Sequence, residues 1–325
     1  MLRACGSENG YALTASGGHL LDCTFQATTN TATVTTFSIS AGWLKGCTFT
    51  RCDFSTGNGS TRVMCDVTGV DTLLDSCVFT NNIDHTIYGS GSSVVRAGGG
   101  VILRNCLIAD NNWANHDYCG VFASGSVNTI AAPLIENCTI ARNNAGRSSG
   151  AAAGIRENTA GMDLVINTIL EGNTVVQAAK GMNVIAGSVM AAVNTICSEL
   201  PALDGCMQDS AKFVNAVAVD YRLAADSPAI DAGVLTASAL DATAVDAVGN
   251  KRIRNKVIDI GALENWPTTL AVAGEPFEMG APTPAYGSFQ RPFGPVGTNS
   301  PSIAQSCGTR TDRHDVSPSL RNIHP

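Results

Sequence analysis

The sequence predicts an all-β chain wound as a parallel β-helix, a solenoid of about seven coils. Three observations predict it. One short phrase recurs along most of the chain, the text inside each repeat alternates with a two-residue period, and the composition suits strands and turns. Only 14% of the 325 residues are charged, against 44% hydrophobic, and glycine alone supplies 33 positions. Average globular domains are about 25% charged.

The recurring phrase reads LLDCTFQ (20–26), LKGCTFTRC (44–52), LLDSCVFTNN (73–82), ILRNCLIADNN (102–112), LIENCTIARNN (134–144), LVINTILEGN (164–173) and AVNTIC (192–197). Its anchors are Cys23, Cys47, Cys77, Cys106, Cys138, Thr168 and Thr195, separated by 24, 30, 29, 32, 30 and 27 residues. A period of this length marks a solenoid. Helical repeats share such lengths, but TATVTTFSIS (31–40) and STRVMCDV (60–67) alternate β-branched residues with polar ones. Asn-Asn, Gly-Gly and Ser-Gly pairs break the runs. Alternation with such breaks means short strands. In the C-x-F and C-x-I triplets, Cys and the apolar residue face one side, which is expected to be the core. Small, readily buried Cys then forms a ladder from coil to coil. Asn81, Asn111 and Asn143 follow the strand, where Asn tolerates left-handed φ and its amide can bond neighbouring coils.

The ends bound the reading differently. MLRACGSENGYALTASGG has no apolar segment like that of a secretory signal. Two readings follow: a cytoplasmic protein, or a gene start inside a longer exported one, the second favoured because a solenoid end needs a cap. The 12 cysteines show no CxxC and no zinc-finger spacing. Cys197 and Cys206 are close enough in sequence to form a disulfide if the protein is exported. With 20 basic and 27 acidic residues the chain lacks the basic face that nucleic acid requires. No apolar run reaches the ~18 residues of a membrane helix.

From 213 the repeat stops. DYRLAADSPAIDAG, DAVGNKRI and KVIDIGALE read as short strands joined by Ser-Pro and Gly-Asn turns, an irregular lid over the last coil spanning 213–266. The 1–212 coils precede it. The segment 267–325 holds nine of 12 prolines and reads as a disordered tail or linker remnant.

The lid text resembles the C-terminal signature of bacterial right-handed parallel β-helix proteins of the choice-of-anchor Q type. The resemblance rests on Asp220, Tyr221, Arg222, Leu223, Ser227, Pro228, Ala229, Ile230, Asp231, Gly233, Gly249, Asn250, Arg252, Asp259, Ile260, Gly261 and Glu264. The coils are similar to pectin-lyase-like and polymorphic-outer-membrane-protein-like repeats. It covers about 20–265. It implies a right-handed β-helix on the cell surface or secreted, with no established activity for most members.

Candidate chemistry is sparse. Asp110, Trp113, His116, Asp117 and Tyr118 form the most polar and aromatic loop, where two rings stack on a sugar and the acids and His supply hydrogen bonds. Asp84-His85 reads as a solvated turn after Asn81-Asn82. Asp220, Asp226, Asp231 and Asp259 fit no regular calcium loop, so turn duty is expected. No nucleophile motif, catalytic residue, metal site or cofactor site is assigned. The expected function is a non-catalytic surface scaffold, adhesin-like or carbohydrate-binding. The alternatives are a polysaccharide lyase or glycoside hydrolase of the pectin-lyase-like fold, with calcium as its cofactor if an enzyme, and a truncated non-functional fragment. The expected partner is a polysaccharide or cell-surface glycan.

Overall fold

The computed structural model describes residues 13–26, 29–30, 35–54, 63–85, 92–124, 133–146, 152–157, 163–176, 184–185, 190–240, 243–254 and 256–266. The chain divides into a compact unit, Met1–Ser288, and a second, Phe289–Pro325, which lies outside the described residues, as does all of the expected tail.

The described chain is all-β, with one 3-10 turn at Ala216–Ala218. Four parallel sheets form the walls of a β-helix. Sheet A has seven strands, from Leu13–Ser16 and Thr35–Ser40 through Val63–Thr68, Ser93–Gly98, Val121–Ser124 and Ile155–Glu157 to Val184–Ile185. Sheet B has seven, from His19–Leu21 to Met190–Val193. Sheets C and D have six each, running from Thr24–Gln26 to Ile169–Glu171 and from Thr29–Asn30 to Thr174–Val175. Within each sheet, every neighbour in space is the equivalent strand one repeat away.

One left-handed residue makes each corner. Between sheets B and C it is Asp22, Gly46, Ser76, Asn105, Asn137, Asn167 or Asn194, all with φ between 45° and 61°. Between C and D it is Arg51, Asn81, Asp110, Arg142 or Gly172. A non-glycine residue in this region is uncommon, and Asn and Asp enter it most readily.

The anchors point inward. Cys47, Cys77, Cys106 and Cys138 are fully buried, and each thiol donates to a carbonyl of the preceding coil: Leu20, Leu44, Leu74 and Leu103 at 3.7, 3.5, 3.6 and 3.7 Å. Thr168 and Thr195 replace the thiol by a hydroxyl that donates to Ile166 and Val193 at 2.9 and 3.1 Å. Two residues on, Phe25, Phe49 and Phe79 stack with centroids 4.7 Å apart. That distance is the strand spacing of the sheet itself.

The asparagine ladder runs one position later than expected at one coil. Asn111 and Asn143 belong to it, but their partners are Asn82 and Asn173. Asn81 instead occupies the left-handed corner with Asp110 and Arg142. The Asn111 amide shows how the ladder works. Its Nδ2 donates to Phe79 O at 3.0 Å in the coil before and to Asn143 Oδ1 at 2.9 Å in the coil after. Its Oδ1 accepts from Asn82 N and Nδ2 at 3.1 and 2.8 Å. All four groups are otherwise cut off from water, since Asn82, Asn111, Asn143 and Asn173 are buried.

The C-terminal segment bonds to the flank of the coils along the B–C corner. Asn167 at the B–C corner exchanges bonds with Val234, donating to its carbonyl at 2.8 Å and accepting its N–H at 2.9 Å. Asn194 Nδ2 donates to Ala232 O, Gly261 N to Asn167 O, Ala262 N to Thr139 Oγ1, and Ser76 Oγ to Val245 O. The corners expose polar groups sideways, and the irregular chain takes them as partners. Gly261, at φ 107°, is forced by this approach, because a Cβ there would lie 2.6 Å from Ile169 Cδ1.

Replacing Asn111 by Ala is expected to destabilise the fold by about 3 kcal/mol or more, since several buried groups lose partners at ~1–3 kcal/mol each. Asn81→Gly is expected to change stability by less than about 0.5 kcal/mol, because Gly enters the left-handed region freely. Urea denaturation of both variants checks the contrast; equal losses would contradict the assigned register.

Candidate functional site

The loop singled out for sugar contact divides in two. Trp113 is fully buried in the strand Asn112–Trp113, its ring 5.8 Å from Phe54. His116 is fully buried as well, with Nε2 3.0 Å from Asp84 Oδ2. Neither can reach a sugar in this structure, so both are corrected to core residues. Trp113 occupies an inward position of sheet D, and its large apolar surface favours the core over solvent. Asp84 is corrected with them: it is 3% exposed and paired inside the coil, while its neighbour His85 is exposed and lies 3.7 Å from Asp53.

Asp110 stands at the C–D corner and is committed to structure. Its Oδ1 accepts from Arg142 Nε at 2.9 Å and its Oδ2 from the Tyr221 hydroxyl at 2.7 Å. Burial, reinforced by the neighbouring Asp110 carboxylate, holds the Tyr221 phenol far above its ordinary range. Tyr221 is thus a donor that ties the flanking segment to the coils.

Asp117 and Tyr118 remain half-exposed. The backbone around them is fixed: Asp117 O accepts from Ala152 N, and Cys119 N donates to Ala152 O. The Tyr118 ring stacks on Phe122, centroids 5.1 Å apart at 13°. Phe122 is in register with Arg96 on one side and Arg156 on the other, and the Arg156 guanidinium carbon lies 5.6 Å from the Tyr118 centroid. The outward face of sheet A therefore carries an aromatic pair between two arginines. Arg96 is neutralised by Asp66 through two hydrogen bonds, one of 2.8 Å.

The signature residues build a buried polar core within the flanking segment. Arg252 is 0% exposed; it donates to Asp259 O and Gly261 O at 2.9 and 2.7 Å, and its Nε lies 3.1 Å from Glu264 Oε1. Asp259 accepts from the N–H groups of Asp231 and Asn265, and Glu264 from that of Asp259. Asp246 caps Val248, Asn250 and Glu264 in the same manner. Ser227 donates to Ala211 O, and Leu223, Ala229 and Ile260 are packed against Ile169 and Ile196, with Ile230 partly buried beside them. Gly233 pairs with Ile258, and Asp220 accepts from Arg222 Nε at 2.8 Å. Pro228, between Ser227 and Ala229, is half-buried. The acids serve as turn caps. Burial raises the carboxyls of Asp246 and Asp259 and pushes Glu264 up to about 8.

The anchor thiols are shielded too. Burial raises the anchors Cys77 and Cys138, and Cys65 in sheet A, well above the ordinary thiol range, so these three are neutral packing groups. Cys197 and Cys206 are free thiols here, and burial pushes Cys197 up to about 11. Among the described residues, no three His, Cys, Asp or Glu side chains are grouped to hold a metal ion. No described helix is long and apolar enough to cross a membrane.

Two features escaped the sequence reading. The Asp84–His116 pair was legible in principle, because Asp84 lies seven residues past its anchor, as do the buried Phe54, Trp113, Ala145 and Val175. The Arg156–Tyr118–Phe122 cluster was not, because variable stretches separate the strands of sheet A from the recurring phrase.

No family model and no curated protein matches this sequence. A solved structure titled "Crystal structure of pectate lyase Pel9A" aligns with 81% of this chain and 85% of that chain, at 15% identity and a TM-score of 0.35.

Two outcomes are expected of the flanking segment. Arg252→Met leaves Glu264 and its acidic neighbours buried without their cation, and should cost about 3–5 kcal/mol in chemical denaturation. The pH dependence follows from Glu264. Its folded value of about 8 exceeds the ordinary 4.5, so the folded segment holds this proton more tightly than the unfolded chain. The stability it contributes is complete below about pH 4.5 and is lost as pH rises through about 8. Asp246 and Asp259 act with the same sign. Melting temperatures from pH 5 to 9 should fall, and Glu264→Gln should flatten the fall; a profile that rises with pH would contradict this.

Proposed function

We propose that this chain is a non-catalytic β-helix scaffold that binds carbohydrate on its lateral face, displayed on or secreted from a bacterial cell and belonging with the choice-of-anchor Q proteins. One observation carries the reading: the half-exposed Asp117 and Tyr118 sit on a rigid sheet face beside Phe122 and Arg156. Binding groups held by a stiff scaffold lose little entropy when a ligand arrives. Aromatic bodies with polar edges suit the mixed surface of a sugar ring. Two titratable groups buried in the coils, Asp84 and His116, face each other, and Asp110 is held by Arg142 and Tyr221. These engagements favour binding over turnover. An adhesin-like role would use the same face.

The test is a panel of neutral and acidic polysaccharides offered to the full chain, with and without calcium. Retention on at least one glycan is expected, without unsaturated-uronate absorbance and without new reducing ends. Turnover of any substrate would replace this reading by a polysaccharide lyase or hydrolase. Failure of a folded sample to bind any glycan would also reject it.

A further inference from the structure

Arg156 differs from the arginines around it. In neighbouring coils Arg96 closes on Asp66, Arg104 on Asp75 and Arg142 on Asp110. Arg156 has no carboxylate within ion-pair distance among the described residues. Its Nε is buried and has no hydrogen-bond partner, and its guanidinium lies by Tyr118. A half-buried guanidinium is strongly disposed to take an anion when one of its donors, here Nε, has left water without gaining an acceptor. The surroundings are arranged to keep it oriented. The stem rises from the strand Ile155–Glu157, between Phe122 and Ile185 in register, and the Tyr118 ring limits how far the head can swing.

We propose that Arg156 is the anion-recognition residue of the glycan face, taking an oxyanion group of an acidic polysaccharide; the inference rests on the carbohydrate-binding reading above and names its ligand class. A guanidinium fork matches a carboxylate or a sulfate through two parallel N–H···O bonds, a geometry that lysine cannot copy. Tyr118 and Phe122 supply the apolar wall on which the ring bearing that group rests. Net charge is −7, so the rest of the surface opposes a polyanion and a local cation is required for one to dock. Successive strands stand about 4.8 Å apart, so a linear glycan lying along the solenoid axis meets one coil after another. Arg96, two strands from Arg156, is already satisfied by Asp66, which leaves Arg156 as the anion contact of this row.

The test measures binding of the full chain to four probes: a polyuronate, its methyl ester, a sulfated glycan and a neutral glucan. The proposal expects the polyuronate or the sulfated glycan to bind at least about tenfold more tightly than the ester and the glucan, with affinity falling as salt rises. Which anion wins identifies the source of the oxyanion. Arg156→Gln should abolish that preference while the circular dichroism and melting temperature stay unchanged, and Arg156→Lys should restore only part of it. Equal binding of polyuronate and ester, or an acid preference that survives in Arg156→Gln, overturns the proposal but leaves the carbohydrate-binding reading intact. Failure to bind all four probes rejects both.

Discussion

Each coil of this molecule must repeat the one beneath it. Parallel strands bond only where the next backbone is in register, and here the next backbone is the chain's own next turn. The constraint explains why buried asparagine recurs. A single amide that donates to the coil before and to the coil after locks three levels together, as Asn111 does between Phe79 and Asn143. A hydrophobic residue there would leave the corner's backbone groups unpaired. Cysteine serves the wall beside it for a related reason: it fills a small inward position and still offers a weak donor to the carbonyl below. Thr195, whose hydroxyl donates to Val165 O of the coil below, shows that a hydroxyl fills the same role.

Most of the coil architecture was legible because the recurring phrase contains its own geometry. The apolar residue two places past each anchor and the left-handed corner four places past it both follow from strand alternation. The one-place error at Asn81 has a physical source. In the text NN, both residues are good at a corner, and only the coil above decides which amide turns inward. Neighbouring repeats resolve it, since Asp110 and Arg142 cannot serve as neutral ladder rungs whereas Asn111 and Asn143 can.

Trp113 was misread for the opposite reason. Its neighbours are polar, so local composition suggested a solvated loop. Burial in a solenoid is set by distance from the anchor and not by neighbours in sequence. The same rule puts Asp84 inside, and an isolated buried carboxylate is costly unless a partner is supplied. His116 supplies it from the following coil, which accounts for a polar loop entering the core at that level. What remained illegible was the register of sheet A: its strands in TATVTTFSIS and STRVMCDV were readable, but they follow stretches of variable length, and only the folded coil fixes their register to the phrase.

The flanking segment shows how a repeat with polar corners acquires specificity. The corner asparagines have carbonyl and amide groups that face sideways once each coil is closed. A chain that satisfies them must be irregular, because consecutive corners are a strand spacing apart while its own residues are spaced differently. That mismatch is taken up by the short turns around Asp231, Asp246 and Asp259, each held by a carboxylate accepting backbone N–H groups. Arg252 at the centre balances part of the negative charge that these caps concentrate. The signature is thus the sequence record of one packing problem, the attachment of an aperiodic chain to a periodic wall. Its residues tie the segment to that wall, while the proposed ligand contact falls on the opposite kind of residue, Arg156, whose buried Nε has no hydrogen-bond partner.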